Sequence, residues 1–173
     1  DLAAAQNGKI LEDLSQLGLT AFSGEETVAF LQGQLTNDVR QLQPDTAQWN
    51  GYCSPKGRLL GNFLMWRQGE DIVLQMSGDI RDSVQKKLAM FIMRSKTKAR
   101  DASDDGVRLV IAGPQALTAV ESALGALPEA PMRVAATETG YVIRVAEDKF
   151  VLSLSPDSAE RVWQALTLSA TPV

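Results

Sequence analysis

The sequence predicts an α+β fold of mostly antiparallel sheets with helices packed on one face. An amphipathic helical stripe stands near the start, three strand-like runs follow it across short turns, and beyond a polar break come a strand, a helix, a hairpin and a last helix.

The first helix is expected at about 24–35. There Ser23 and Glu26 have the spacing of a capping box, and Val28, Leu31 and Leu35 recur on one side. A polar stretch with Pro44 and Asp45 leads to runs at about 46–53, 58–67 and 71–77, parted by SPKG and QGED turns, which read as a meander. In the third run Ile72, Leu74 and Met76 alternate with Val73 and Gln75, so one side is expected to face a core and the other to be less buried. Asp79 is placed to cap a second helix, on which Ile80, Val84, Leu88, Phe91 and Ile92 keep helical spacing. A short exit strand over Lys96–Ser103 ends at Ser103, Asp104, Asp105 and Gly106, a polar cluster that marks a boundary between domains 1–103 and 104–173.

The second part opens with the strand of Val107, Leu109 and Ile111. Gly113 turns the chain, and Pro114 suits the first position of a helix bearing Leu117, Val120, Leu124 and Leu127. A hairpin pairs Tyr141, Ile143 and Val145 with Phe150, Leu152 and Leu154, and a final helix over about 157–168 follows Pro156. This order is that of an incomplete split βαβ, or ferredoxin-like, sandwich.

Composition excludes several function classes. Hydrophobic residues make up 45% and charged residues 22% of 173 residues, which is globular. No apolar run approaches the roughly 20 residues that cross a bilayer, and the start DLAAAQNGKILEDL has no basic segment leading into an apolar one, so a cytoplasmic location without membrane contact is expected. The absence of histidine removes histidine triads, histidine acid–base pairs and histidine-held metals. With Cys53 as the only thiol, neither an internal disulfide nor a multi-cysteine metal site can form, and no metal site is expected. Net charge is −4, yet Arg81, Lys86, Lys87, Arg94, Lys96, Lys98 and Arg100 lie together with Asp82 as the one acid among them. That strip reads either as a solvated helix face or as a surface for phosphates and carboxylates, including weak RNA contact.

Three blocks in order, FLQGQLTNDVRQL (Phe30 to Leu42), GYCSPKGRLLGNFLMWR (Gly51 to Arg67) and LAMFIMRSKTKARDAS (Leu88 to Ser103), resemble the amino-terminal part of the YgfZ-type folate-binding proteins, relatives of the glycine-cleavage aminomethyltransferase. The resemblance covers roughly residues 10–115 and fades toward Val173. It implies an aminomethyltransferase scaffold around tetrahydrofolate or a related folate. It also implies iron–sulfur client or assembly proteins as partners and, through them, a link to tRNA modification. The family's later K-G-C-x-x-G-Q-E signature is not found in this sequence.

The aminomethyltransferases carry paired aspartates in the segment matching Lys56 to Phe63, the second near the reacting folate nitrogen, and here Asn62 takes that place. An amide cannot ionise but can still hydrogen-bond a pterin edge, so the resemblance implies folate binding with no catalytic residue. A folate-dependent aminomethyltransferase-like enzyme is the first alternative, and an RNA- or protein-docking module the second. Gln34, Asn37, Asp38 and Tyr52 complete the expected folate set with Asn62, although Asn37 and Asp38 equally suit a turn. Lys56, Arg58, Lys96 and Lys98 are candidate anion binders, the first two flanking Gly57 in a turn that an exposed hairpin explains nearly as well. The glycines here lack GxxxxGK(S/T) spacing, which sets nucleotide hydrolysis aside. Cys53 near these cations is a possible reactive thiol or a structural one. Trp49, Trp66 and Trp163 could stack on a planar ligand or belong to the core.

Overall fold

In the computed structural model, which describes residues 8–125, 127–168 and 171–172, the chain divides into two units, each with its own sheet. The first unit is Gln16–Asp104; the second joins Asp105–Val173 to the opening segment up to Ser15.

The first unit holds a five-stranded antiparallel sheet in the order β3-β4-β5-β2-β6. Its strands are β2 (Leu17–Ser23), β3 (Ala47–Cys53), β4 (Leu59–Gln68), β5 (Asp71–Ser77) and β6 (Lys98–Asp101), with helix α1 (Thr27–Gln32), a 3-10 turn (Val39–Gln41) and helix α2 (Gly78–Ala89). The expected meander is present as β3, β4 and β5. One sheet face packs against the helices: Phe22, Tyr52, Phe63, Met65, Ile72, Leu74 and Met76 share a core with Leu31 of α1 and with Val84 and Leu88 of α2. Burying side chains of this size is the dominant stabilising term, at roughly 1.5–3 kcal/mol each.

Several expectations are corrected by the local chemistry. The capping box does not form. Ser23 closes β2, and the carboxylate of Glu26 accepts the backbone N–H of Lys96 instead of capping its own helix, which is accordingly shorter than 24–35. Ser77, not Asp79, occupies the cap position of α2, and the Ser77 hydroxyl donates to Asp79 in the first turn. Phe91 leaves the apolar stripe because α2 ends at Ala89. The chain then turns, so that Ile92 packs on the core while Phe91 is 53% exposed. The second side of β5 is not the less buried one, since Val73 and Gln75 are as covered as their neighbours.

The second unit holds a six-stranded sheet in the order β11-β1-β7-β10-β9-β8. Its strands are β1 (Ile10–Asp13), β7 (Val107–Ala112), β8 (Arg133–Thr137), β9 (Gly140–Ala146), β10 (Lys149–Leu154) and β11 (Thr171–Pro172), with helices α3 (Ala116–Leu124) and α4 (Pro156–Thr167). Adjacent strands are antiparallel except β1 and β11. The split βαβ order is visible, since β7 and β9 run parallel on either side of β10. Three strands absent from the sequence expectation, β1, β8 and β11, enlarge it. β1 inserts between β11 and β7, and β8 extends the opposite edge. β1 lies in the segment that the sequence grouped with domain 1–103, and the structure pairs it with this unit instead. Helix α3 begins at Ala116, two residues beyond the Pro114 expected to start it. Leu11, Ile111, Val120, Phe150, Leu152, Val162 and Leu166 form this unit's core. Beside it the buried Arg144 lies over the Phe150 ring at 5.6 Å and donates to the carbonyls of Pro128, Glu129 and Glu147.

Among the described residues no helix is long and apolar enough to cross a membrane, and no cluster of acidic or cysteine side chains could hold a metal ion.

Candidate functional site

Strand β3 is a sheet edge, and its alternation sorts the candidates between two faces. Register pairs Asn50 with Phe63 and Tyr52 with Gly61, and a Cβ at Gly61 would meet Val84 and Ile80, so this is the face under α2. On the other face Trp49 stands opposite Leu64 and Gly51 opposite Asn62. On that second face, near the edge, both Trp49, at 53%, and Asn62 are exposed.

The loop after α1 closes the free edge. The Thr36 N–H donates to the Gly51 carbonyl at 3.0 Å, and the Gly51 N–H donates back to Thr36 Oγ1 at 2.9 Å. Asn50 fastens the next residue, its buried Oδ1 accepting the Asn37 N–H at 2.9 Å and the Thr36 hydroxyl at 3.3 Å. Its Nδ2 donates to Gln48 Oε1 at 3.0 Å, and Gln48 in turn donates to the Asp38 carbonyl. The Asn37 side chain spans loop and strand, donating to the Trp49 carbonyl at 3.1 Å while accepting the Asp38 N–H.

The result is a shallow cavity of about 450 Å³ lined by Thr36, Asn37, Trp49, Asn50, Gly51 and Asn62. Its size is that of sites for small organic ligands. All six lining residues are uncharged: an indole face, three carboxamides and a hydroxyl around a glycine. The glycine matters because a Cβ there would come within 3.0 Å of Leu59 Cδ1 and 3.1 Å of Thr36 Oγ1, taking up the floor between Trp49 and Asn62. Such a set suits a flat, neutral heterocycle that stacks on an indole and presents donors and acceptors at its edge.

The structure thus brings Asn37 and Asn62 together across sheet and loop, and it adds Thr36, Asn50 and Gly51, which sequence reasoning missed. The remaining expected folate residues lie elsewhere. Tyr52 is buried on the α2 face, where burial raises the pKa of its phenol. Asp38 caps the 3-10 turn, accepting from the Arg40 N–H and from its guanidinium at 2.7 and 3.0 Å, and that pairing holds its carboxyl below the usual carboxylate range. Gln34 is half-buried and outside the lining.

The candidate anion binders do not converge either. Lys56 and Arg58 are exposed in the β3–β4 turn, where Gly57 adopts φ +76° and the Arg58 N–H donates to Ser54 Oγ. Lys98 pairs with Ser23 on β6, at the far edge of the sheet and at the end opposite that turn, and Lys96 just before it is ion-paired with Glu25. Cys53 is half-buried beside a β-bulge at the end of β3. Trp66 is fully buried, and Trp163 packs on the second core while lining a separate cavity with Gln164, Thr167 and Leu168, which leaves Trp49 as the tryptophan of the first unit with an open face.

Comparison with known proteins gives the setting of this site. Residues 1–172 match the family described as the GCVT N-terminal domain. The tRNA-modifying protein YgfZ of Pectobacterium carotovorum subsp. carotovorum (strain PC1) is 30% identical over 167 residues, which are 95% of this chain and 50% of that protein. An aminomethyltransferase of Shouchella clausii (strain KSM-K16) is 26% identical over 185 residues, covering 98% of this chain and 49% of its own length. The chain therefore spans about half the length of the curated relatives it matches. Among solved structures, the glycine cleavage system aminomethyltransferase T from Bartonella henselae superposes with a TM-score of 0.86 at 20% identity, over 98% of this chain and 48% of that one, and establishes the fold.

Proposed function

Because the chain belongs to the GCVT N-terminal domain family, we propose that the Trp49–Asn62 cavity binds the pterin ring of tetrahydrofolate or a related folate, in a role that rests on binding rather than turnover. The observation that carries this reading is the clearance at Gly51 between an open indole face and the Asn62 carboxamide, with Asn37 held beside them. A bound folate supplies a carrier of one-carbon groups. Around it, this chain's Trp49 stacks, Asn62 and Asn37 orient the edge, and Asn50 keeps the loop in place. An aminomethyltransferase-like activity would call for an ionisable group, and the lining contains none. The resemblance to YgfZ-type proteins, together with relatives named for tRNA modification, supports a cytoplasmic role in maintaining iron–sulfur proteins on which tRNA modification depends.

The test is a calorimetric titration with tetrahydrofolate on the parent chain and on Asn62→Leu. Saturable binding that the variant weakens by about tenfold supports the reading. An unchanged Kd in the variant removes the ligand from this cavity. The absence of heat from a folded sample refutes folate binding by this chain.

A further inference from the structure

At the carboxy-terminal end of α2, on a different part of the first unit, the helix stops and the chain makes tight turns through Met90–Arg94. The Phe91 N–H donates to Leu88 O, the Ile92 N–H to Ala89 O and the Ser95 N–H to Ile92 O. Ile92 is the residue of this turn that packs on the core, and its inward anchor turns the flanking side chains outward. Met90 is 67% exposed, Phe91 53% and Met93 87%. Met93 adopts φ 34°, in the left-handed region that disfavours any residue with a side chain. Backbone of this kind persists where its surroundings impose it, and it clusters at binding sites.

Cations frame this apolar turn. Lys86 and Lys87 lie one helical turn before Met90 and Phe91, and Arg94 follows Met93. None of the three makes an ion pair with a described residue, whereas the neighbouring Arg81, Lys96 and Arg100 are paired with Asp82 and Asp101, Glu25 and Asp71. No acidic residue occurs in the sequence between Asp82 and Asp101.

We propose that Lys86, Lys87, Met90, Phe91, Met93 and Arg94 form a docking surface for an acidic protein segment that carries aliphatic side chains, its carboxylates meeting the three cations and its apolar residues covering the methionines and Phe91. Two methionines and a phenylalanine beside arginine match the chemistry of protein interfaces, where thioether chains repack around varied apolar partners. RNA fits less well. The patch offers one aromatic ring for stacking, and a polyphosphate running past it would meet a chain of net charge −4. An anionic membrane fits less well too, because the apolar residues occupy a single turn and not the long face of an interfacial helix.

The test measures fluorescence anisotropy of a labelled peptide of Glu-Glu-Leu-Leu repeats against the folded chain. A Glu-Glu-Gln-Gln peptide, a single-stranded oligouridylate and phosphatidylglycerol vesicles serve as competing probes. The leucine peptide is expected to bind at least about tenfold more tightly than the glutamine peptide. Phe91→Ser with Met93→Ser, and separately Lys86→Glu with Lys87→Glu, are each expected to weaken it by about tenfold while buried Trp66 keeps its native emission. Both pairs alter exposed or half-buried surface positions, so the fold is retained. Equal binding of the two peptides, indifference to both variant pairs, or preferential binding of the oligouridylate or the vesicles would overturn the proposal.

Discussion

Asn50 is the residue on which the candidate cavity depends most, and replacing it separates scaffold from ligand contact. In Asn50→Ala three accepted bonds disappear, from the Asn37 N–H, the Thr36 hydroxyl and the Gly51 N–H, together with the bond donated to Gln48. The losses are unequal. The Gly51 N–H keeps Thr36 Oγ1 at 2.9 Å, and the exposed Thr36 hydroxyl can turn to water, so the Asn37 N–H and the half-buried Gln48 Oε1 are the groups that lose their protein partner. With neutral hydrogen bonds worth about 0.5–1.5 kcal/mol and an orphaned donor about 1–3, the net cost is about 2 kcal/mol. For a chain of this length that lowers the melting temperature by about 4–8 °C. Asn50→Asp keeps the acceptor for both backbone N–H groups and loses the bond to Gln48, so it should melt between the parent and the alanine variant. Circular dichroism melts of the three proteins, paired with tetrahydrofolate titrations, check both consequences, since a loosened Asn37 also weakens the ligand. An alanine variant that melts within about 1 °C of the parent, or an aspartate variant as damaged as alanine, would refute the account of the loop.

Trp49→Leu is expected to abolish most of the tryptophan quenching that folate causes, because Trp66 is sealed in the core; undiminished quenching in the variant would take the ligand off Trp49. Phe63→Ala empties the core beneath α2 and should cost about 3–5 kcal/mol in urea unfolding, and a cost under about 1 kcal/mol would contradict the packing described. Asp38 titrates below the ordinary carboxylate value because Arg40 binds its charged form, so the stability it adds is present above a pH of about 3.9 and fades as the pH falls through its own lower pKa. Asp38→Asn should accordingly lower the melting temperature at pH 7 and converge with the parent in strong acid; a constant offset across that range would show that charge is not the cause.

The meander and both long helices were legible because their apolar spacing is local, whereas β2, β1 and β8 were not. LGLTAFS in β2 is buried almost throughout and shows no alternation, and its Ser23 imitated a cap for the helix that follows. ILED and RVAAT are too short to carry a period. The site divides in the same way. Asn37 and Asn62 could be chosen for their chemistry, but the strand register that sets Gly51 opposite Asn62 is a tertiary fact. Two of the expected residues that lie outside this cavity had local signals of their placement. Tyr52 follows Gly51 on one strand and so had to face the other way, and Asp38 has its arginine two residues on.

The amide at Asn62 also offers a way to learn which edge of a folate faces the sheet. An amide donates and accepts, a carboxylate accepts alone, and leucine does neither. No charged residue lines the cavity and Asn62 is exposed, so an aspartate at this position would be ionised at neutral pH. If the ring presents N–H donors there, Asn62→Asp should tighten binding about threefold to tenfold through a charge-assisted bond, and lowering the pH toward 4 should remove the gain as the carboxylate protonates. If the ring presents lone pairs, the same variant should bind more weakly than Asn62→Leu, because repulsion is added to the lost bond, and acid should now restore affinity. The two geometries therefore predict opposite signs of the pH dependence. A titration in which Asp and Leu variants both match the parent at every pH would show that no polar edge meets residue 62, and the placement of the ligand between Trp49 and Asn62 would fall with it.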